Sequence, residues 1–319
     1  MPDGIFERER IMIEAPLFRD PIYDAPTDPT VIWNNERREW WMFYTQRRAS
    51  RNIVGVAHIH GSAIGIATSK DGSRWLYRGT LPNLDFEFGH NTFWAPEVIF
   101  AEGEYHMYVT YITGIPIDWN RERHIVHYTS DNLWDWTFQG ILELSSDRVI
   151  DACVHQLPDG TYKMWYKDEA HGSFSYTAVS DDLYNWKVGG AEITDRHHEG
   201  PNVFEFKGKV WLITDEWNGL GVYESADYTN WTKNGVILRD GGNRPCDGVM
   251  ANHADVVVHG DEAYIFYFTH PYFRNEDRLS SGFVMGEEHG RTCIQAARLT
   301  VEDGKLCCNR DEDFDFKLV

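Results

Sequence analysis

Four polar side chains stand at the start of short strand-like runs, where they would form an acid and base site if the fold brought them together. They are Asp28 in TDPTVIW, Asp151 in IDACVHQ, Glu199 in EGPNVFEF and His253 in NHADVVV. Carboxyl groups crowded in a partly dry site acquire different pKa values, so one holds a proton at neutral pH while another is ionised. Glycoside hydrolysis needs such a pair. Any one of these residues is equally well explained as a turn cap or a hydrogen-bonded core histidine, so the prediction rests on all four meeting.

A repeat along the chain provides the means of bringing them together. Ser followed six residues later by Trp, across a polar turn, occurs at Ser69, Ser130, Ser180 and Ser225. A strongly aromatic run precedes each turn, and a run with an aligned valine precedes the aromatic run. Five such units, each with four short runs of strand-like alternation and almost no helical periodicity, indicate a repeated four-stranded structure.

Radial repetition of four-stranded units predicts an all-β, five-bladed β-propeller with four antiparallel strands per blade. We expect one catalytic domain over residues 1–319, with blades that start near residues 28, 95, 151, 200 and 253. The last unit lacks the Ser-to-Trp turn, which agrees with the common finding that terminal repeats are atypical. We therefore expect ring closure to use residues before Asp28.

Strand direction then sorts the loops between two rims. If each first strand starts at one rim, the connections between strands two and three return to that rim, and the Ser-to-Trp turns lie on the other. The predicted substrate rim carries Gln46, Arg47, Arg48, His58, His60, Trp119, Arg121, Lys167, Glu169, His171, Asp215, Glu216, Trp217, His270, Tyr272 and Arg274. Trp94, Trp119 and Trp217 are candidates for walls on which a sugar stacks, although blade packing explains them equally well.

Charge restricts the ligands. The formal net charge of −20 disfavours nucleic acid and anionic membranes, while a small neutral or locally guided substrate stays compatible. Arg47, Arg48, Arg121 and Arg274 on the substrate rim suit an acidic or sulfated sugar, because guanidinium pairs bidentately with such groups. We favour the simpler interpretation that these arginines pair with rim carboxylates.

Composition also bears on location. The five cysteines lack the paired spacing of a zinc site or a disulfide framework, which favours free thiols in a reducing compartment. Because no apolar run approaches the length of a membrane span and the N-terminus lacks a signal-like core, we expect a soluble, cytoplasmic protein. A signal sequence already removed would leave the same appearance. The sequence leaves a homo-oligomer open.

Taken with Trp94 to Val98 in WAPEV, the strand starts resemble glycoside hydrolase family 43 and its five-bladed relatives. The resemblance spans Asp28 to about Tyr267 and implies Asp28 as the general base, Glu199 as the general acid and Asp151 as the carboxylate that tunes the acid. It implies an inverting, exo-acting glycosidase of arabinofuranosidase or xylosidase type, active on plant or algal oligosaccharides. It implies no required cofactor, with a water or a structural calcium ion on the axis beside His253.

Substrate contacts are predicted on the same basis, from the rim and from the strand starts. The predicted set is Gln46, Arg47, Trp94, Glu97, His171, Trp217, His253 and His270. Two departures stand out: family 43 commonly has Asp where Glu97 stands, and a glycine-rich step around the histidine where this chain has Asn252, Ala254 and Asp255.

Three alternatives remain open at the level of sequence. A relative of glycoside hydrolase family 117, which acts on anhydrogalactose ends, would use His253 or a loop histidine as the acid in place of Glu199. A carbohydrate-binding propeller without catalysis would repeat similar pockets in every blade, whereas the five strand starts differ here. A phosphorylase or transferase on the same scaffold would need an anion site for phosphate.

Overall fold

The chain folds into five four-stranded antiparallel sheets, and each sheet is built from one continuous stretch of sequence. The computed structural model describes residues 13–50, 53–273, 286–316 and 318. Alternating apolar residues and polar turns produce these strands, and the observed architecture confirms the predicted all-β, five-bladed propeller.

The strands are numbered in chain order. Blade 1 holds β1 Pro26–Asn34, β2 Glu39–Gln46, β3 Ala63–Ser69 and β4 Leu76–Thr80. Blade 2 holds β5 Thr92–Ala101, β6 Glu104–Ile112, β7 His124–Ser130 and β8 Thr137–Ile141. Blade 3 holds β9 Val149–Gln156, β10 Tyr162–Asp168, β11 Phe174–Ser180 and β12 Lys187–Ile193. Blade 4 holds β13 Glu199–Phe206, β14 Lys209–Asp215, β15 Leu220–Ser225 and β16 Thr232–Ile237. Blade 5 holds β17 Asn252–His259, β18 Glu262–Thr269, β19 Cys293–Glu302 and β20 Lys305–Cys308, with a short 3-10 helix at Glu287–Gly290.

The first strands of neighbouring blades adjoin around the axis, and the fourth strands lie outermost and are largely exposed. Large aromatic side chains fill the spaces between blades. Phe43 of β2, for example, packs edge-on against Trp136 of the next blade, with ring centroids 6.1 Å apart. The high aromatic content therefore serves blade packing in large part.

The Ser-to-Trp turns connect the third and fourth strands of blades 1 to 4, on the rim opposite the first-strand starts. Ser130 Oγ accepts the backbone N–H of Leu133 at 2.9 Å, and Trp136 Nε1 donates to the Leu133 carbonyl at 3.0 Å. Ser180, Leu183 and Trp186 repeat this pattern in blade 3. The turns of blades 2 and 3 are thus held by bonds within the turn, whereas Trp231 of blade 4 donates to Glu192 of blade 3 at 3.0 Å.

Both ends of the described chain help to close the ring between blade 5 and blade 1. Phe18 forms an antiparallel bridge with Ile294 of β19, in line with the expected use of residues before Asp28. The C-terminal side contributes as well, since Trp40 Nε1 donates to the Leu318 carbonyl at 2.6 Å and Phe314 joins the same buried cluster. Among the residues described, no helix has the length and apolarity needed to cross a membrane.

Candidate active site

A β-bulge near the beginning of every first strand interrupts the pairing with the second strand. At the bulge, Asp28 and Asp151 adopt left-handed backbone conformations with φ of 51° and 57°. Non-glycine residues rarely adopt such angles, and bulges commonly re-aim a side chain beside a functional site. Gly200 occupies the same position in β13 with φ of 57°, and a Cβ there would lie 2.7 Å from the His253 ring. Glycine at this position therefore leaves room for the imidazole on the axis.

The bulges are held in place by the preceding blade. In four of the five blades a side chain of that blade accepts the backbone N–H of the bulge residue. The pairs are Ala95 with Thr45 Oγ1 at 2.8 Å, Asp151 with Thr110 Oγ1 at 3.1 Å, Gly200 with Asp151 Oδ2 at 3.1 Å and His253 with Asp215 Oδ2 at 3.0 Å. Ring closure therefore fixes the strand starts relative to one another.

A cavity of about 550 Å³ opens on the rim where the first strands start. The structure brings Asp28, Asp151, Glu199 and His253 together as lining residues, from four different blades. The other residues that line it are Arg47, Ile59, Trp94, Trp119, Arg123, Arg148, Ile150, Lys167, Glu169 and Trp217.

Asp28 is a buried carboxylate held in its ionised form. Its Oδ2 accepts from Thr27 Oγ1 at 2.9 Å and from Arg47 at 3.2 Å, and its Oδ1 lies 3.6 Å from His253 Nδ1. Burial by itself would raise the pKa of Asp28, but Arg47 and His253 outweigh it and keep the pKa below its ordinary value. An ionised carboxylate at this place can accept a proton.

Glu199 is partly accessible, with 26% of its side chain exposed. Its Oε2 lies 3.1 Å from Lys167 Nζ, and its Oε1 accepts from Trp217 Nε1 at 3.1 Å. Burial opposes ionisation, but the Lys167 ammonium and then His253 outweigh burial, so the pKa of Glu199 lies below its ordinary value. In the free protein Glu199 is therefore mostly a carboxylate, and it must gain a proton before it can donate one.

Two further carboxyl groups next to Glu199 hold protons more readily. Burial raises the pKa of Asp151 to about 6. Burial, together with the Glu199 charge, raises the pKa of Asp215 to about 7. Asp215 pairs directly with Glu199 across β13 and β14 but does not line the cavity. The carboxyl groups around the axis thus titrate as an interacting set.

His253 lies among these carboxylates on the axis. Burial would lower the pKa of His253, but Asp151, Asp28 and Glu199 outweigh burial and raise it. The imidazole is therefore predisposed to carry a proton. It balances part of the negative charge at the base of the cavity.

His253 by itself does not make a calcium centre. Calcium takes six to eight oxygen ligands, whereas an imidazole offers at most one nitrogen lone pair. Across residues 13–50, 53–273 and 286–316, no group of three or more His, Cys, Asp or Glu side chains is arranged to hold a metal ion. The described residues therefore show no arrangement of these side chains that matches the structural calcium ion implied by the resemblance.

Aromatic side chains form two sides of the cavity. Trp94 Nε1 donates to the Ile59 carbonyl at 2.7 Å, and the His60 ring lies 4.9 Å from the Trp94 ring and 5.9 Å from the Trp119 ring. The loop between β2 and β3 therefore positions this wall. On the other side, the Trp217 ring is 38% exposed and lies 5.1 Å from Lys167 Nζ.

Of the eight predicted substrate contacts, Arg47, Trp94, Trp217 and His253 line the cavity, and four others lie elsewhere. Gln46 is buried and donates to Asp20 Oδ2 at 2.7 Å. His171 points to solvent and bonds Asp168 Oδ2 at 2.8 Å. The His270 ring packs against Phe268, with centroids 5.5 Å apart.

Glu97 lies below the cavity, in a second axial ring of polar residues two positions further along the first strands. Burial and the nearby Asp255 raise the pKa of Glu97 to about 8. Its Oε1 accepts the Val154 N–H at 2.9 Å, and Asp255 Oδ2 accepts the Val31 N–H at 2.7 Å. This ring links neighbouring blades, so Glu97 serves the scaffold and not the wall of the cavity.

The four rim arginines singled out in the sequence have different surroundings. Arg47 pairs with Asp28, which agrees with the favoured interpretation. Arg48 donates to the backbone carbonyls of Ala57 and His60. Arg121 is exposed and does not line the cavity, and Arg274 falls outside the described residues.

Two charged residues of the cavity, Arg123 and Arg148, were not predicted from the sequence. Arg148 comes three residues before Asp151, just ahead of β9. Residues that lead into a first strand must lie on the same rim as the strand start, so this position was a usable signal. Arg123 precedes β7 and offered no comparable signal.

Comparison with known proteins agrees with this architecture. No protein-family profile matches the sequence, and no curated protein matches it. Among solved structures, a thermostable family-43 glycoside hydrolase is similar, with a TM-score of 0.66, 20% identity and coverage of 94% of this chain and 99% of that one.

Two more solved structures extend the likeness. One is a family-43 β-xylosidase/α-arabinofuranosidase from a compost microbial metagenome, crystallised with xylotriose in a calcium-free form, with a TM-score of 0.66, 15% identity and coverage of 92% and 97%. The other is a family-43 β-1,3-galactosidase bound to galactodeoxynojirimycin, with a TM-score of 0.68, 13% identity and coverage of 95% and 100%. This chain has the five-bladed propeller fold of the family-43 glycoside hydrolase structures, as the resemblance in its strand starts implied.

Proposed function

We propose that this protein is a glycoside hydrolase that inverts the configuration at the anomeric carbon and removes sugars from the ends of plant or algal oligosaccharides. The observation that carries the proposal is the convergence of Asp28, Asp151 and Glu199 from three blades on one cavity. Its volume of about 550 Å³ lies in the ordinary range for small-molecule sites. The family-43 structures of the same fold add support, and because they include a xylosidase and a galactosidase, they leave the sugar undecided.

The proposed roles follow from the protonation states. The Asp28 carboxylate accepts a proton from a water whose oxygen attacks the anomeric carbon, while Glu199 gives its proton to the leaving glycosidic oxygen as that bond breaks. Asp151, on the blade that precedes that of Glu199, contributes to the electrostatic field in which Glu199 gains its proton. Lys167 neutralises the Glu199 carboxylate that remains.

A substrate panel tests the proposal. Purified protein is incubated with aryl glycosides of xylose, arabinofuranose, galactose and glucose in both anomers, and with plant and algal oligosaccharides. Release of a terminal sugar whose first-formed anomer, followed by proton NMR, is opposite to that of the substrate supports it. Retention of configuration, or binding without turnover over the whole panel, would contradict it. Cleavage that requires added phosphate and yields a sugar phosphate would establish the phosphorylase alternative.

The pH dependence gives a more specific prediction. A carboxylic acid that donates a proton is active below its pKa and inactive above it, and kcat/KM reports the free protein. Because Lys167 lowers the pKa of Glu199, we expect kcat/KM to fall with rising pH already below the ordinary glutamate pKa of 4.5. Lys167→Met removes the ammonium, so the pKa of Glu199 rises and the falling limb moves up by about 1 to 3 pH units.

The control for this shift is Lys70→Met, which removes an exposed lysine that pairs with Glu39. We expect its pH profile of kcat/KM to match that of the unchanged protein. An unmoved limb in Lys167→Met would show that Lys167 does not set the protonation of the acid.

His253 is the alternative acid, because the surrounding carboxylates raise its pKa. A falling limb above pH 6.5 that Lys167→Met leaves in place would favour His253 over Glu199. The profile therefore separates the family-43-like assignment from the one with a histidine acid.

A further inference from the structure

One wall of the cavity, where blade 2 meets blade 3, carries three cationic side chains. Arg123 and Arg148 are neighbours through a backbone bridge, in which Arg123 N donates to the Asp147 carbonyl at 2.8 Å and Val149 N donates to the Arg123 carbonyl at 3.1 Å. Lys167, at the end of β10, is the third. Like charges placed side by side are unfavourable unless anions balance them.

Two carboxylates supply that balance, and both are already shared. Arg123 is buried and pairs with Glu169 at 3.0 Å. Lys167 pairs with Glu169 at 3.2 Å and with Glu199 at 3.1 Å. The fourth cation of the cavity, Arg47, forms an ion pair with Asp28 at 3.2 Å. Asp151, the remaining carboxyl group of the cavity, accepts the Gly200 N–H at 3.1 Å and forms no ion pair with Arg148.

Arg148 itself bonds only a neutral group. Its Nη2 donates to Asn120 Oδ1 at 3.0 Å, and within the described part of the chain no carboxylate lies within 4.0 Å of its guanidinium. Its charge affects the neighbouring Arg123: burial lowers the pKa of Arg123, and the Arg148 charge lowers it further. The wall thus holds three cations against two carboxylates, and the half-buried Arg148 faces the cavity with unused donors.

An anionic group on the ligand would restore the balance. Guanidinium forms paired hydrogen bonds with carboxylate and sulfate oxygens, which neutral hydroxyl groups match only weakly. Because the chain as a whole carries a charge of −20, an anion gains nothing from the overall field and needs a local cationic site.

We propose that Arg148 forms a subsite for an anionic substituent, so that the ligands of this cavity are uronic acids or sulfated sugars. This inference rests on the proposed carbohydrate function and specifies its substrate class. Arg148 takes the role of anion ligand that the sequence suggested for the rim arginines. Arg47 is paired with Asp28, Arg48 is bonded to backbone carbonyls, and Arg121 does not line the cavity.

The test is calorimetric binding of matched sugars at low ionic strength. Glucose is compared with glucuronate, and galactose with galacturonate and with galactose 6-sulfate, so that carboxylate and sulfate are distinguished. The proteins are the unchanged chain, Arg148→Gln, and Arg74→Gln as a control that removes an exposed arginine in a turn of the opposite rim.

We expect at least one anionic sugar to bind the unchanged protein about tenfold more tightly than its neutral counterpart, as one charge-assisted pair allows. Arg148→Gln should reduce that ratio to nearly one and change neutral binding less than about twofold, and Arg74→Gln should change neither. Added salt should weaken only the anionic members.

Two results would overturn the inference. One is that no anionic sugar binds better than its neutral counterpart. The other is that Arg148→Gln weakens neutral and anionic sugars equally, which would assign Arg148 to holding the Asn120 loop. Hydrolysis is scored separately: an anionic preference without any turnover would support the subsite and reject the hydrolase, and turnover of neutral glycosides without anionic preference would do the reverse.

Discussion

Asp28→Asn and Glu199→Gln should each lower kcat by about 10²- to 10⁴-fold on oligosaccharides, which is the usual contribution of a general acid or base. The first change removes the group that takes a proton from water, and the second removes the group that protonates the leaving oxygen. Both replacements keep the size of the side chain. Steady-state kinetics on the best substrate of the panel measures the loss, and circular dichroism checks that the fold is intact.

Leaving-group dependence separates the two roles. The dinitrophenolate released from a dinitrophenyl glycoside leaves without a proton. Glu199→Gln should therefore recover much of its activity on that substrate, whereas Asp28→Asn should not. Glu205→Gln is the matched control, because Glu205 lies on the same strand β13 with 61% of its side chain exposed. Near-normal turnover in Asp28→Asn or Glu199→Gln would remove that residue from its proposed role.

Arg310→Met should lower the free energy of unfolding by about 3 to 5 kcal/mol, the usual result of removing one partner from a buried ion pair. Arg310 is buried beside the last blade and pairs with Asp247 Oδ1 at 2.9 Å. It also donates to the carbonyls of Asp247, Val249 and Leu238 at 2.7 to 2.9 Å. Its loss removes the side-chain donor of the Val249 carbonyl and one of the two donors of the Asp247 and Leu238 carbonyls. The buried Asp247 carboxylate keeps only Arg244 and Tyr267 as donors.

Guanidinium chloride unfolding, followed by tryptophan fluorescence, measures this effect. Arg298→Met is the control, because Arg298 is 31% exposed and its pairs with Glu262 and Glu312 lie at the surface. We expect Arg298→Met to lower the free energy of unfolding by about 1 kcal/mol or less. Equal losses in the two variants would show that Arg310 does not hold the segment between blades 4 and 5.

The predicted blades and the observed ones agree because each blade is a local structure. A strand depends on alternation within a few residues, and the turn at Ser130 depends on bonds to residues two and three positions on. Four copies of that turn made the repeat visible without any alignment. The prediction of a common rim for Asp28, Asp151, Glu199 and His253 then needed only the direction of the strands, and the structure brings the four side chains to one cavity.

The roles of side chains within the cavity were less accessible. Gln46 and Glu97 occur on the right strands, yet the first faces Asp20 and the second lies one layer below the cavity. A bulge decides which residue is left out of the hydrogen-bond pairing between two strands. A one-residue change of register moves every following side chain to the opposite face of the sheet. No pattern in the sequence marked those bulges.

The sequence by itself determined the propeller, its five units and the strand starts that carry the acidic residues, because these depend on interactions between near neighbours in the chain. Tertiary structure alone decided the charge state of the site. Lys167 meets Glu199 from 32 residues away, and Arg123 and Lys167 share Glu169 while Arg148 pairs with none of the described carboxylates. Electrostatic interactions depend on distance in space and on burial, and neither follows from position along the chain.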